Sequence, residues 1–211
     1  MKEINLRATG HSKDKALTPS ERDRLRTELK HEKLRIVFIL GAYAGLRCRE
    51  IAQTRFSWIE WQEIEGKKIL VLNIPTEARD IRNKYKLFRP KTKVGRTTYI
   101  FDNELANEVY FYYKHNIDGL VVSESYIRRE VRKHFNTMLG RSLDYEDKHL
   151  AVSTHALRST AQNYFKFELG HADEFIQLCF GWKDLRTIQN HYRTMNRASG
   201  ESYLKQVLRK E

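Results

Sequence analysis

The chain has 211 residues, and its 39 Lys and Arg against 27 Asp and Glu give a formal net charge of +12. This excess is typical of proteins that bind polyanions, nucleic acid first, although a merely basic soluble protein has the same charge. Two cysteines without a CxxC pair argue against a zinc site or a disulfide framework. No signal peptide and no apolar run of about 20 residues is present, which favours an intracellular protein, cytoplasmic or nucleoid-associated, with no membrane partner.

The first half of the sequence predicts helices followed by a small antiparallel sheet. Alternating and β-rich runs on either side of a Glu-Gly-Lys turn are typical of a hairpin. In chain order, we expect a basic flexible tail over 1–17, a helix from Pro19 capped by Thr18 or Ser20, an apolar core helix from Lys33, a hairpin with strands over 58–64 and 69–74, and a third strand over 97–101.

The second half is predicted to be helical. Its expected elements are a helix capped by Asp102 with Leu105, Val109, Tyr112 and Tyr113 inward, a helix over 124–139 ended by Gly140, a helix from Ser153, short helices over 173–180 and 184–193, and an amphipathic tail helix over 201–210. The sequence therefore predicts an α+β fold, mainly helical, forming one domain over 18–211 with a small antiparallel sheet.

Two short motifs place arginines near helix ends. Arg47 follows Gly45-Leu46 and has Glu50 three positions later, while His155 and Arg158 stand three positions apart on one face of a predicted helix. Each pair by itself is more often structural than functional. A glycine before Arg47 permits a chain break or a close approach between elements.

A strongly basic segment lies between the predicted second and third strands. Eight of the 18 residues from Arg79 to Arg96 are Lys or Arg. They are either a solvated loop or a β-hairpin laid against a phosphate backbone. The DNA-contacting candidates are Arg79, Arg82, Lys84, Lys86, Arg89, Lys93 and Arg96, and Lys91 lies in or beside a turn.

Taken in order, these motifs resemble the tyrosine recombinase family, also called phage-type integrases, over residues 18–211. The matching positions are Arg47 with Glu50, Lys91, His155 with Arg158, Trp182 after Gly181, and Tyr192. His171 also follows a glycine, but it lies only 13 residues after Arg158 and has no tyrosine about ten residues beyond it, so we assign the position to Trp182. The Trp182–Tyr192 spacing is about one residue longer than is common in the family. We expect no room in these 211 residues for the family's usual N-terminal DNA-clamping domain, so the sequence is either an excised catalytic domain or a minimal protein.

The resemblance implies a catalytic domain that cleaves and rejoins double-stranded DNA without metal or cofactor. In the family, a tyrosine, here Tyr192, forms a 3′-phosphotyrosyl link and two arginines, here Arg47 and Arg158, grip the phosphate. Lys91 is the expected general acid, with Lys93 as the fallback. The resemblance further implies acid–base or hydrogen-bonding roles for His155, an indole hydrogen bond from Trp182, and an orienting role for Glu50.

Related activities remain open at this point. A telomere resolvase or a type IB topoisomerase shares the tyrosine and the arginines, and a catalytically silent DNA-binding regulator or a basic RNA-binding protein would share the charge. The tail helix carries Tyr203, and we expect this helix to dock on a neighbouring protomer when the protein assembles on DNA. An origin in a virus, a plasmid or another mobile element is compatible with this reading.

Overall fold

The computed structural model describes residues 15–143 and 151–182. The predicted helices over 184–193 and 201–210 lie outside the described residues, and so do Tyr192 and Tyr203.

Helices form most of the described fold and begin where polar residues can cap them. Thr18 accepts the Glu21 backbone N–H, and the Glu21 side chain accepts from Thr18, which completes a capping box. Asp102, Ser123 and Ser153 cap three later helices by accepting the backbone N–H three residues on with their side chains. The helices are α1 (Pro19–Glu28), α2 (Glu32–Ala42), α3 (Cys48–Gln53), α4 (Asn103–His115), α5 (Glu124–Glu130), α6 (Asn136–Leu139), α7 (Thr154–Asn163) and α8 (Asp173–Phe180).

Two helices continue through wider π-helical turns. Val131–Phe135 joins α5 to α6, and the resulting helix ends at Gly140 in the left-handed conformation. Tyr164–Glu168 extends α7. The predicted single helix before Gly140 and the predicted helix over 173–180 are both confirmed.

The sheet is antiparallel with the strand order β1 (Ile59–Ile64), β2 (Lys67–Ile74) and β5 (Arg96–Ile100). Ile59 lies opposite Leu72, and Leu70 lies opposite Ile100, which confirms the hairpin and the third strand. Two further strands were not predicted. They are β3 (Ala78–Arg79) and β4 (Leu87–Phe88), and they form a separate small hairpin within the basic segment.

The predicted flexible tail is wrong at its last residues. Ala16 and Leu17 are each 3% exposed, and the Leu17 backbone N–H donates to Thr160 Oγ1 at 2.8 Å. The carbonyl of Lys15 accepts a hydrogen bond from Arg141. These apolar residues therefore belong to the packed domain, because their burial against α7 removes them from water.

The core brings the N-terminal helices against the C-terminal ones. The apolar helix α2 packs on α7 and α4, and a Cβ atom at Gly41 would lie 2.9 Å from Leu157, so the glycine sets how closely α2 approaches α7. A smaller apolar cluster, which includes Phe165 and Phe180, joins α8 to β5. Within the described ranges, no helix is long and apolar enough to cross a membrane.

Candidate active site

Arg47 sits at the junction between α2 and α3, where the chain makes a sharp turn. Gly45 has φ +67°, and a Cβ atom there would lie 2.4 Å from the Phe180 ring. Only glycine permits this combination of a left-handed backbone and a close approach to α8. The expectation of a break at this glycine is confirmed.

Glu50 holds Arg47 in place from the first turn of α3. Its Oε2 accepts the Arg47 backbone N–H at 2.7 Å, and its Oε1 accepts Arg47 Nη1 at 3.1 Å. Glu50 is only 1% exposed. Burial alone would raise the pKa of Glu50, but the guanidiniums of Arg96, Arg158 and Arg47 outweigh that effect and lower the pKa to about 2. Glu50 is therefore ionised, as the orienting role requires.

Arg96 does not lie on a DNA-binding surface, so that prediction is wrong. Its side chain is 3% exposed, and its guanidinium donates to Glu50 Oε2 and to the Cys179 carbonyl. It thereby joins β5 to the N-terminal end of α3 and the C-terminal end of α8. A buried arginine needs such partners, because an unpaired charge in the interior is costly.

Helix α7 presents His155 and Arg158 beside this network. Both terminal nitrogens of Arg158 donate to backbone carbonyls, those of Gly45 and Phe180. Burial and the repulsion from Arg96 and Arg47 lower the pKa of Arg158. The attraction of Glu50 acts in the opposite direction and is outweighed. Three guanidiniums thus surround one carboxylate, and the positive excess favours an anion in this place.

One hollow of about 620 Å³ gathers most of the predicted catalytic side chains. Its walls include Arg47, Glu50, Lys91, His155 and Arg158, which come from three separate parts of the chain. Three further arginines line it: Arg49, Arg128 and Arg132. None of these three was predicted from the sequence, although Arg128 and Arg132 stand four positions apart on a predicted helix, and that spacing places them on one face.

Lys91 reaches the hollow from a turn. The Lys93 N–H donates to the Pro90 carbonyl at 2.9 Å, which places Lys91 within a tight turn, as predicted. The turn is not the end of a hairpin, because β4 pairs with β3 and not with β5. Lys93 is exposed with φ +56° and does not line the hollow, so the geometry favours Lys91 over its fallback.

Trp182 lies next to Arg158 without lining the hollow. Its ring stacks on Phe180 with the ring centres 4.9 Å apart, and the Arg158 guanidinium lies 5.4 Å from the indole. His171 packs against Phe101, with ring centres 4.9 Å apart, and burial lowers its pKa. His171 is therefore a packed residue near the end of a helix, as expected.

The remaining basic candidates do not line the hollow. Arg79, Arg82, Lys84, Lys86, Arg89 and Lys93 are all exposed, in or next to the β3–β4 hairpin. Arg89 donates to Glu77 at 2.5 Å, and the ammonium of Lys84 lies 5.3 Å from the centre of the Tyr85 ring. The structure thus offers six of the seven predicted DNA contacts to solvent.

Several solved structures are similar to this chain, among them the following three. The XerA recombinase superposes with a TM-score of 0.65 at 20% identity, over 90% of this chain and 64% of that one. The Tn1549 transposon integrase in complex with transposon right end DNA gives 0.56 at 13% identity, over 92% and 66%. The XerH site-specific recombinase bound to difH substrate gives 0.57 at 13% identity, over 89% and 52%.

This chain thus spans about half to two thirds of the length of these proteins. No protein-family profile and no curated protein sequence matches it. The similarity is one of three-dimensional structure, and it confirms the predicted fold class. The chain has the fold of the tyrosine recombinase catalytic domain.

Proposed function

We propose that this chain is the catalytic domain of a site-specific DNA recombinase or integrase, which cleaves and rejoins DNA through a covalent 3′-phosphotyrosyl intermediate. One observation carries the proposal: Arg47, Lys91, His155 and Arg158 line a single hollow, although up to 111 positions separate them in the sequence. The similar solved proteins are recombinases and an integrase, two of them bound to DNA, which supports the same class of reaction.

The arginines stabilise the charge of the transition state. When a nucleophile attacks the phosphorus, negative charge builds up on the non-bridging oxygens. Guanidinium groups match those oxygens in a fork that a lysine cannot provide. Glu50 and the carbonyls of Gly45 and Phe180 hold Arg47 and Arg158 before substrate arrives, so little reorganisation is needed at the moment of reaction.

The proposed cleavage step exchanges one phosphoester bond for another. The hydroxyl of Tyr192 attacks the phosphorus, its oxygen forms the new bond, and the bond to the 5′-oxygen breaks. Lys91 gives a proton to the departing 5′-oxygen. His155 takes the tyrosine proton; where it hydrogen-bonds the phosphate instead, the tyrosine proton passes to water. Trp182, beside Arg158, supplies an indole N–H that donates but cannot carry a proton between groups. Rejoining reverses the same exchange.

A covalent-trapping experiment tests the proposal. The protein is incubated in EDTA with a pool of nicked duplexes of varied sequence, and the products are separated on a denaturing gel. We expect a protein–DNA band with the wild type and with Tyr203→Phe, which removes a second tyrosine near the chain end, and no band with Tyr192→Phe.

Other results would change the proposal. A band that survives in Tyr192→Phe would move the nucleophile to another tyrosine. Tight binding of the duplexes without any covalent band would favour a catalytically silent DNA-binding protein. A band that requires added metal would contradict the metal-independent mechanism.

We further propose that the protein self-associates on DNA through residues 197–211, which lie outside the described residues. A helix over that segment would carry Leu204, Val207 and Leu208 on one side, and such an apolar face is of the kind that docks on a partner. Deletion of 197–211 is expected to leave only single-protomer complexes in a native gel on duplex DNA. Assemblies of unchanged size would contradict this.

A further inference from the structure

One buried side chain joins the end of the α5–α6 helix to the segment that enters α7. Asn136 is 0% exposed and opens α6, directly after the π-helical turn Val131–Phe135. Its Oδ1 accepts the Val152 backbone N–H at 2.6 Å, and its Nδ2 donates to the Val152 carbonyl at 3.1 Å. The amide thereby holds the backbone of one residue at two points, which fixes both the distance and the orientation of that residue.

A third hydrogen bond ties the same amide to the backbone of an arginine in the hollow. Asn136 Nδ2 also donates to the Arg132 carbonyl at 2.5 Å, and the Arg132 side chain lines the hollow. Since Asn136 and Val152 are 16 positions apart, the amide bridges two elements that meet only in the folded chain. π-Helical turns are frequent at functional sites, and this bond lies across one.

The backbone that the amide holds leads directly into the candidate active site. Ser153 follows Val152 and caps α7 by accepting the Ala156 N–H at 3.2 Å. Ser153, Thr154 and His155 all line the hollow. A shift of Val152 would therefore displace the first turn of α7, and the side chain of His155 with it.

The hydrogen-bonding groups of asparagine suit this position. Val152 is 0% exposed, so its N–H and its carbonyl need partners within the protein. An amide offers one acceptor oxygen and two N–H donors, and here the oxygen accepts one bond and the nitrogen donates two. A leucine of similar size would make none of these bonds, and an ionised carboxylate could only accept.

We infer that Asn136 is a positioning residue for the proposed cleavage reaction, which holds the first turn of α7, and with it His155, in place against the helix that carries Arg132. The inference rests on the proposed function, since it takes the reaction in the hollow as given. Asn136 is buried and acts only through the residues that it holds. A displacement of about 1 Å at a reacting group can cost on the order of 100-fold in rate.

Single-turnover cleavage in EDTA tests this inference, on the nicked duplex that gives the strongest covalent band. The amplitude measures how much of the protein is folded and competent, whereas the rate constant measures the geometry of the site in that fraction. The variant is Asn136→Ala. The matched control is Val109→Ala, which also truncates a fully buried side chain but lies on α4 and outside the hollow.

Asn136→Ala is expected to lower the rate constant by on the order of 100-fold. Its Kd for the same duplex, measured by fluorescence anisotropy, should stay within about twofold of the wild type, because the buried amide does not contact DNA. Val109→Ala loses amplitude at most and keeps the wild-type rate constant. A merely structural role for Asn136 would give the same result as this control.

Asn136→Asp provides a second measurement if the alanine variant does not fold. A protonated carboxyl group can accept the Val152 N–H and donate to one carbonyl, whereas the ionised form can only accept. Burial raises the pKa of such a group, so the rate constant relative to the wild type should fall as the pH rises from about 5 to about 8. The other titrating groups of the site are common to both proteins and cancel in this ratio.

A wild-type rate constant for Asn136→Ala would overturn the inference. If that variant gives no folded protein, a ratio near one for Asn136→Asp at both ends of the pH range would overturn it. The covalent band of the wild type separates this failure from that of the proposed function. A wild-type band with unchanged variants rejects the positioning role alone, whereas the absence of a wild-type band rejects the cleavage reaction and the positioning role with it.

Discussion

At the scale of the residue, Glu50 makes the site sensitive to acid. Its pKa in the folded protein is about 2, below the ordinary value of 4.5, because three guanidiniums outweigh its burial. The unfolded chain therefore binds the proton first, so Glu50 stabilises the fold above about pH 4.5 and loses this contribution as the pH falls towards 2. The difference between the two pKa values corresponds to about 3 kcal/mol.

Urea unfolding measured from about pH 6 down to about pH 2.5 tests this contribution. The wild type should lose about 2.5 kcal/mol more stability over that range than Glu50→Gln, whose side chain cannot titrate, because the last part of the loss falls below pH 2.5. Other carboxylates titrate equally in both proteins and cancel in the comparison. Parallel pH profiles would show that Glu50 is not held as a buried anion.

Lys91 carries a second prediction at this scale. Lys91→Ala should slow formation of the covalent complex by on the order of 100-fold, because the leaving 5′-oxygen loses its proton donor. A substrate with sulfur in place of that bridging oxygen should restore the rate, since a thiolate leaves without protonation. The comparison variant Lys93→Ala alters the same turn outside the hollow and should retain nearly full activity. A sulfur substrate that fails to restore Lys91→Ala would exclude the general-acid role.

At the scale of the element, the close approach of the α2–α3 junction to α8 depends on Gly45. Gly45→Ala combines a strained left-handed backbone with a clash against Phe180, so we expect the free energy of unfolding to fall by about 3 kcal/mol. Cleavage should also fall markedly, because the Gly45 carbonyl holds Arg158. Gly140→Ala is the matched control. It has φ +66° but no atom within 4 Å of the new Cβ, and it should cost only about 1 kcal/mol in urea unfolding. Equal losses would show that the α8 contact is not tight.

At the scale of the whole molecule, Arg96 links three elements that are distant in sequence, namely β5, α3 and α8. Arg96→Gln leaves Glu50 with one fewer partner and the Cys179 carbonyl without its donor. We expect the free energy of unfolding to fall by about 3 kcal/mol. This is the low end for a broken buried ion pair, because Arg47 still pairs with Glu50. Cleavage should fall while DNA affinity is kept, because Arg96 is not on the surface.

The control for Arg96 is another paired arginine in the same segment. The Arg89–Glu77 pair has side chains 59% and 44% exposed, so Arg89→Gln should change stability by less than about 1 kcal/mol. Urea unfolding and anisotropy on duplex DNA measure both effects. If Arg96→Gln lost as much DNA affinity as cleavage activity, Arg96 would instead be a contact for DNA.

Local patterns were sufficient for the elements and for much of the site. The caps at Thr18, Asp102 and Ser153 and the Arg47–Glu50 pair each depend on residues three positions apart, and such contacts can be predicted from spacing. The order of the motifs along the chain was enough to identify the fold that the solved structures then confirmed.

Only the tertiary structure decided which basic residues belong to the core of the site and which to its walls. Arg96 and Glu50 are 46 positions apart, and nothing near Arg96 in the sequence distinguishes it from the exposed arginines of the same segment. Arg128 likewise joins the site only because α5 packs beside α3. The sequence determined the charges and the short-range geometry. Burial and long-range pairing arise from how the helices and the sheet pack, because the same guanidinium is solvated or buried according to which elements cover it.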